Sequence, residues 1–315
     1  MSKPITEENR LDILERAKRS VETAKFSLKL FDDVVLGNQA YVDLVLSDSF
    51  AHATYNMGLV DENNCTNFYD GKVRVTGPDG VELLKYEPKD YLDVVAEHVE
   101  PWSYLKFPYI KQVGWKGFVD GPDSGVYRAT PLSRMNAADG MATPLAQAEY
   151  ERFYETLGGK PVNATLATHW ARLVEVLYAA ERVVELAEDP EITSPDVRAI
   201  PTGIPTEGVG IVEAPRGTLT HHYVTDERGL LKSVNLIVGT TNNYAAMSMS
   251  IKRAAQGLIQ PGVEVTDGTL NTIEMAFRAY DPCLGCATHA QPGEMPLIIH
   301  IYDHEHELVQ EIRRD

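Results

Sequence analysis

Along the first third of the chain, apolar positions fall mostly at helical intervals. Leu11, Leu14, Ala17, Val21, Ala24 and Leu28 recur at three- and four-residue steps, which predicts a helix over 8–36. A shorter one follows over about 39–48, carried by Tyr41, Leu44 and Leu46. The period changes over 72–86. Val73 and Val75 alternate, Gly77-Pro78-Asp79-Gly80 supplies a turn, and Val81 and Leu83 return, the pattern of a β-hairpin. Helical spacing resumes over 87–99 with Tyr91, Leu92 and Val95. Residues 100–140 are rich in Pro, Gly and aromatics, among them Pro101, Trp102, Tyr104, Phe107, Pro108 and Tyr109. They read as irregular chain with a short strand or two, packed against the core or a partner.

Two helices follow, over about 144–157 and 163–188. The second carries the clearest stripe, in Leu166, Trp170, Leu173, Leu177, Ala180 and Val184, with Arg172, Glu175, Glu181, Arg182 and Glu185 elsewhere on it. Residues 207–238 read as β-structure. Val209, Ile211, Thr218, His222 and Val224 lead to the turn Asp226-Glu227-Arg228-Gly229, and Val234, Leu236 and Val238 return as an alternating strand. Helices over 242–257 and 267–279 come next. The last 26 residues, 290–315, read as a separate strand and helix, Met295 to Tyr302 and then Asp303 to Arg313. No internal repeat or flexible linker interrupts the pattern. The fold class expected is mainly α with small β elements.

A length of 315 residues fits about two domains or one large helical one, and 43% hydrophobic content is ample for a core. The net charge of -17 argues against nucleic acid, whose binding relies on Lys and Arg at phosphates, and it serves solubility. No apolar run approaches the roughly 20 residues that cross a bilayer. The start, Met1-Ser2-Lys3-Pro4-Ile5-Thr6-Glu7-Glu8-Asn9-Arg10, has no apolar signal core. Three cysteines build no disulfide framework. The expectation is a cytoplasmic protein without a membrane span.

The helix over 267–279 delivers the chain to Asp281-Pro282-Cys283-Leu284-Gly285-Cys286-Ala287-Thr288-His289, which holds two of the three cysteines. Thiolates at this spacing converge on one metal ion or one redox bond. A structural zinc site needs four ligands, and Cys65 stands alone without a second C-x-x-C. A thioredoxin-like pair sits between a strand and a helix start, whereas Leu270, Ile273, Met275, Ala276 and Ala279 place a helix before this one. The third option is a transition-metal cluster with further ligands elsewhere; soft thiolates suit nickel and low-valent iron. Asp281 is also placed to cap the C-x-x-C turn. His221 and His222, adjacent in a strand, point to opposite faces, one core and one surface. His300, His304 and His306 have metal-like spacing but lie in the terminal segment, and Cys65 reads as a small buried hydrophobe.

The D-P-C-x-x-C-x-x-H pattern, preceded by Tyr280, resembles the C-terminal signature of nickel–iron hydrogenase large subunits. Two upstream blocks resemble the same family in the same order: Glu213-Ala214-Pro215-Arg216-Gly217-Thr218-Leu219-Thr220-His221-His222-Tyr223 and Asn235-Leu236-Ile237-Val238-Gly239-Thr240-Thr241-Asn242-Asn243. The first is most similar to the cytoplasmic types, heterodisulfide-reductase-linked or NAD(P)-coupled. The resemblance implies a helical bundle around a nickel–iron centre. It makes Cys283 a terminal nickel ligand, Cys286 a bridge between nickel and iron, and His289 a magnesium ligand. It places Arg216, after Pro215, over the centre, donating to the iron's cyanide and carbonyl ligands, with Thr240 and Thr241 bonded to the second cyanide. Asp281 would sit near the metals and help bind or polarise substrate. It divides the chain into a hydrogenase-like domain, 1–289, and a maturation tail, 290–315. A dedicated endopeptidase would remove that tail after His289 once nickel-insertion chaperones have loaded the metal. An iron–sulfur small subunit would carry the electrons.

The sequence departs from the family in three ways. Gly239 stands where the family usually has Pro, and Asn242 where it often has Trp. More seriously, the family's N-terminal R-x-C-G-x-C motif and the glutamate before it have no counterpart here. The chain thus reads as an N-terminally truncated large subunit that holds half a site and is inactive without a companion fragment supplying the first cysteine pair. A subunit split between two genes, a truncated reading frame and an assembly remnant remain, and the intact C-terminal motif with its retained tail favours the first two. The competing readings are a non-catalytic scaffold, like the related complex I subunit, and an unrelated thiol-redox or zinc protein.

Overall fold

The computed structural model describes residues 3–103, 105–262, 264–283 and 297–314. The chain divides into two compact units, Met1–Asp281 and Pro282–Asp315. In the first, helix α1 (Glu7–Phe31) starts at Thr6, whose hydroxyl accepts from the Asn9 amide, with Glu7 and Glu8 favourably placed against the helix dipole. Its continuation over Asp32–Leu36 is a widened π-turn, and α2 (Gln39–Val45) follows. Next come strands β1 (Tyr55–Val60), β2 (Cys65–Thr66), β3 (Lys72–Thr76) and β4 (Glu82–Tyr86). A short helix α3 (Tyr91–Val94) leads into the hairpin of β5 (Val95–Val99) and β6 (Lys106–Ile110). Then come β7 (Tyr127–Arg128), α4 (Pro131–Ala137), β8 (Gly140–Met141), α5 (Pro144–Thr156) and α6 (Thr168–Glu188). Strands β9 (Glu207–Ala214), β10 (Gly217–Thr225) and β11 (Leu231–Ile237) form an antiparallel sheet. Helices α7 (Tyr244–Leu258) and α8 (Asp267–Arg278) close the unit. No described helix is long and apolar enough to cross a membrane.

Two cores hold this unit together. The first is helical. Leu28 of α1, Phe153 of α5 and Trp170, Val174 and Leu177 of α6 pack around Leu132 and Met135 of α4. With Leu28, the small buried residues Ala17 and Ala24 are the parts of α1 that face inward. The second core lies between sheets. Met57, Leu59, Val73 and Val75 of the sheet ordered β4-β3-β1-β2-β8 meet Ile211 and Ile237 of the β9–β11 sheet. Helices and sheets therefore share the fold more evenly than the mainly α expectation.

Three local readings need correction. Residues 87–99 are not one helix: Pro88 opens a single 3₁₀ turn, α3 lasts four residues, and 95–99 is a strand. Pairing with Phe107 and Tyr109 across β6 overrides the helical spacing. The segment 100–140 is less irregular than its composition suggests, because it contains α4, started by Thr130 as N-cap with Pro131 in the first turn. In the second unit, 303–313 is not helical. Asp303 Oδ1 accepts from the amides of Glu305 and Glu307, His306 takes a left-handed φ of 63°, and β12 (Leu297–Tyr302) turns back into β13 (Leu308–Arg314) as a hairpin.

Polar residues on α6 are also not simply solvated. The Glu181 carboxylate accepts from the amides of Leu145 and Ala146 and from the Thr143 hydroxyl, so it caps the start of α5 from another helix. Glu175 is buried against Arg134. Both interactions are tertiary, and nothing in a helical wheel announces them.

Candidate active site

The β9–β10 hairpin pairs Ala214 with Gly217, leaving Pro215 and Arg216 as its two turn residues. Gly217 has a φ of +152°, and a Cβ there would stand 2.4 Å from the Gly239 carbonyl oxygen. The glycine is required by both conformation and space. Gly217→Ala is expected to cost about 1–3 kcal/mol in thermal unfolding, because the Gly239 backbone cannot yield as a side chain would. The approach is mutual. A Cβ on Gly239 would lie 3.2 Å from Arg216 and from the Gly217 amide, which puts the first departure from the family pattern directly against the Arg216 turn.

The second departure is part of the same support. After β11 the chain makes a 3₁₀ turn, Gly239–Asn243. Asn242 Nδ2 donates to the Thr218 carbonyl at 2.8 Å, and its Oδ1 accepts from the Tyr127 hydroxyl at 2.7 Å. Asn243 Nδ2 donates to the Arg216 carbonyl at 2.7 Å, and its Oδ1 accepts from the Ala129 amide at 2.8 Å. Both amides are buried, so each satisfied bond fixes backbone that water cannot reach. Thr240 is buried and Thr241 half-buried on this turn, which touches the Arg216 hairpin through Gly239.

Arg216 reaches α8's end. Its Nε donates to the Asp281 carbonyl at 2.6 Å and lies 3.2 Å from Asp281 Oδ2. The two side chains are 38% and 45% exposed, so their cation–carboxylate contact is accessible from outside rather than locked in the core. The structure thus brings together Arg216, Asp281 and, by way of the Gly239 backbone, the Thr240–Thr241 turn. Cys283 is described but belongs to the second unit. Cys286 and His289 lie outside the described residues. Among the described residues no group of three His, Cys, Asp or Glu is gathered to hold a metal.

Behind the hairpin lies a buried ionic hub that sequence reasoning did not assign. Arg134, 1% exposed, donates through Nε to Glu175 at 2.7 Å and through Nη1 to Glu213 Oε2 at 3.1 Å. Nη1 also donates to the Ala214 carbonyl at 2.9 Å, and Nη2 reaches the Pro215 carbonyl at 3.4 Å. Glu213 Oε1 accepts from the Leu59 amide and the Thr218 hydroxyl. Burial lifts the Glu213 carboxyl above its ordinary range, and Arg134 and these two donors pull the other way. A cavity of about 280 Å³ opens beside the hub, lined by Phe68, Arg172, Val176, Ala179 and Pro215 together with the hub's own residues.

The remaining histidines and Cys65 play other parts. As the strand alternation predicts, His222 faces the core, between the Tyr91 hydroxyl and Glu207, and His221 lies on the other face beside Tyr223. His300 pairs with Glu311 across the terminal hairpin. Cys65 is only half-buried, and burial with Asp61 and Asp139 nearby pushes its thiol up.

Comparison with known proteins places the chain in a family. The family described as nickel-dependent hydrogenase matches residues 27–289. An F420-non-reducing hydrogenase iron-sulfur subunit of Archaeoglobus profundus is 48% identical over 312 residues, covering 99% of this chain and 64% of that protein. The NAD-reducing hydrogenase HoxS subunit beta of Cupriavidus necator is 41% identical over 300 residues, covering 93% and 58%. A crystal structure of an NAD+-reducing NiFe-hydrogenase in the H2-reduced state superposes with a TM-score of 0.81 at 36% identity, covering 91% of this chain and 61% of that one. The chain belongs to the nickel-dependent hydrogenase family. It spans less than two thirds of the length of each of these relatives.

Proposed function

We propose that this chain is the part of a hydrogenase catalytic subunit that covers and half-ligates a nickel–iron centre. The reaction is heterolytic cleavage of dihydrogen, or its reverse, with electrons passed to an iron–sulfur partner subunit. The observation that carries this reading is the 2.6 Å bond from Arg216 Nε to the Asp281 carbonyl, which joins the hairpin block to the start of the cysteine motif. The donor chemistry fits: two cysteines with two residues between them offer thiolates that suit nickel and iron. Cys283 and Cys286 would hold the metals and His289 a magnesium ion. When bound, the centre supplies the redox chemistry and the polarisation of dihydrogen.

The chain's own residues supply orientation and charge. Arg216 is a fixed cation whose Nε is engaged at Asp281, and the rest of its fork is assigned to the iron's cyanide and carbonyl ligands. Pro215 shapes the turn that presents it, and Thr240 with Thr241 is assigned to the second cyanide. Asp281, held beside Arg216, is assigned to substrate polarisation. A preorganised charge of this kind acts without reorganising when charge develops.

The reading extends to its surroundings. The protein works in the cytoplasm with the iron–sulfur small subunit, and the centre's other cysteine pair comes from outside residues 1–315. Nickel-insertion chaperones load it, and an endopeptidase removes 290–315. Purified with its partners from its own host, the chain is expected to show an intact mass ending at His289, bound nickel and dihydrogen-dependent dye reduction. A mass running through Asp315, with no nickel, would overturn this and leave the non-catalytic scaffold.

A further inference from the structure

Helix α8 does not simply end; it is gripped. Its last turn passes through Ala279 and Tyr280, both buried, to Asp281. Asp281 takes a left-handed φ of 51°, a conformation that glycine adopts freely, aspartate and asparagine now and then, and most other residues rarely. Three elements reach in to hold three successive residues. Arg172 of α6 donates through Nη2 to the Ala279 carbonyl at 2.9 Å. Ser250 of α7 bonds the Tyr280 hydroxyl at 2.8 Å, and His52 Nε2 lies 2.6 Å from Ser250 Oγ. Arg216 of the hairpin donates to the Asp281 carbonyl.

We infer that Arg172, Ser250 and His52 are positioning residues that, with Arg216, hold the end of α8 and keep Asp281 in its left-handed turn. The contacts are unlike ordinary helix packing. Each targets the main chain or the one polar atom of a consecutive residue, and each comes from a different part of the fold. Within the Tyr280 contact every polar group is interior: His52, Ser250 and Tyr280 are 4%, 1% and 2% exposed. Burial, with Arg128 beside it, keeps the His52 imidazole well below its ordinary range, hence neutral. Both hydroxyl contacts fall on one ring nitrogen, Nε2, at 2.6 Å from Ser250 Oγ and 3.4 Å from the Tyr280 hydroxyl, so a single atom of His52 backs the Ser250–Tyr280 bond. The arrangement is preorganisation: side chains of the folded body place the backbone that precedes the ligands before any metal arrives.

The test is hydrogen exchange of the full chain, read on peptides covering 279–283. In Arg172→Met and in Ser250→Ala, exchange there is expected to rise about tenfold while the interiors of α6 and α7 keep wild-type rates. Adding Asp281→Gly, which makes the left-handed turn conformationally free, is expected to bring the rate back toward wild type in both. Unchanged exchange, acceleration spread evenly over α6, α7 and α8, or no recovery with glycine would overturn the inference. Nickel retention is measured alongside, and its loss in the single variants with recovery in the doubles is expected. A wild-type chain that holds no nickel even when purified with its partners from its own host would sink the proposed function and leave the exchange result to judge the grip.

Discussion

Arg134→Ala is expected to lower the unfolding free energy by about 3–5 kcal/mol, the largest stability loss from any single side chain outside the apolar cores. The reason is asymmetry. Arg134 is 1% exposed, and the side chains of its partners Glu175 and Glu213 are 7% and 1% exposed. Removing the cation leaves two carboxylates in a medium that cannot solvate them, and frees the Ala214 and Pro215 carbonyls. The control separates charge from packing. Arg134→Met combined with Glu175→Gln and Glu213→Gln removes all three charges, keeps much of the volume, and leaves an amide oxygen for the Leu59 amide and Thr218 hydroxyl. This triple variant is expected to recover more than half of the loss in urea unfolding, since neutral replacements of buried ion pairs are often tolerated. If the single and triple variants are equally unstable, the cost is packing and the ionic account is wrong.

The same hub shows why some of this protein is readable from sequence and some is not. The α6 stripe was legible because its apolar residues face one core at a single period: Trp170, Leu177 and Ala180 are all buried. Strand β1 gave no such signal. All six residues from Tyr55 to Val60 are buried, so neither alternation nor a long apolar run marks it. The strand at 95–99 carries helical spacing and becomes β only through its partner. Arg134 and Glu175 look like surface charges, and what buries them is the meeting of α4 with α6 and the β9–β10 hairpin. The site divides in the same way. Arg216 and Asp281 stood out because short motifs constrain them locally, and the structure does pair them. Asn242 was visible only as a departure from a pattern and Asn243 only as the last residue of a block, although they hold the Thr218 and Arg216 carbonyls. Their role depends on a 3₁₀ turn lying against a hairpin more than twenty residues away. Arg172, Ser250 and His52 left no trace, because they converge on the end of α8 from three separate stretches of chain.

Arg216→Lys is expected to reduce dihydrogen-dependent turnover by about 10²–10³-fold, the scale on which a preorganised donor to developing charge contributes. The substitution keeps the positive charge, so it tests geometry. A guanidinium is a planar fork that can spend Nε on Asp281 and still aim other N–H groups in fixed directions, whereas an ammonium is a point charge on a flexible stem. The hairpin supports this choice: Asn243 holds the Arg216 carbonyl, and Gly239 and Gly217 press on the turn, so the side chain leaves from a fixed backbone. The Lys variant should therefore fold, with a melting temperature near wild type, because the Arg216–Asp281 contact is partly exposed and such pairs add little stability. It should also retain nickel, since Arg216 is not a ligand in this reading. Turnover within threefold of wild type at full nickel occupancy would remove Arg216 from the chemistry and reduce its contact with Asp281 to anchoring the end of α8. Loss of nickel together with turnover would move Arg216 from acting on substrate to building the site.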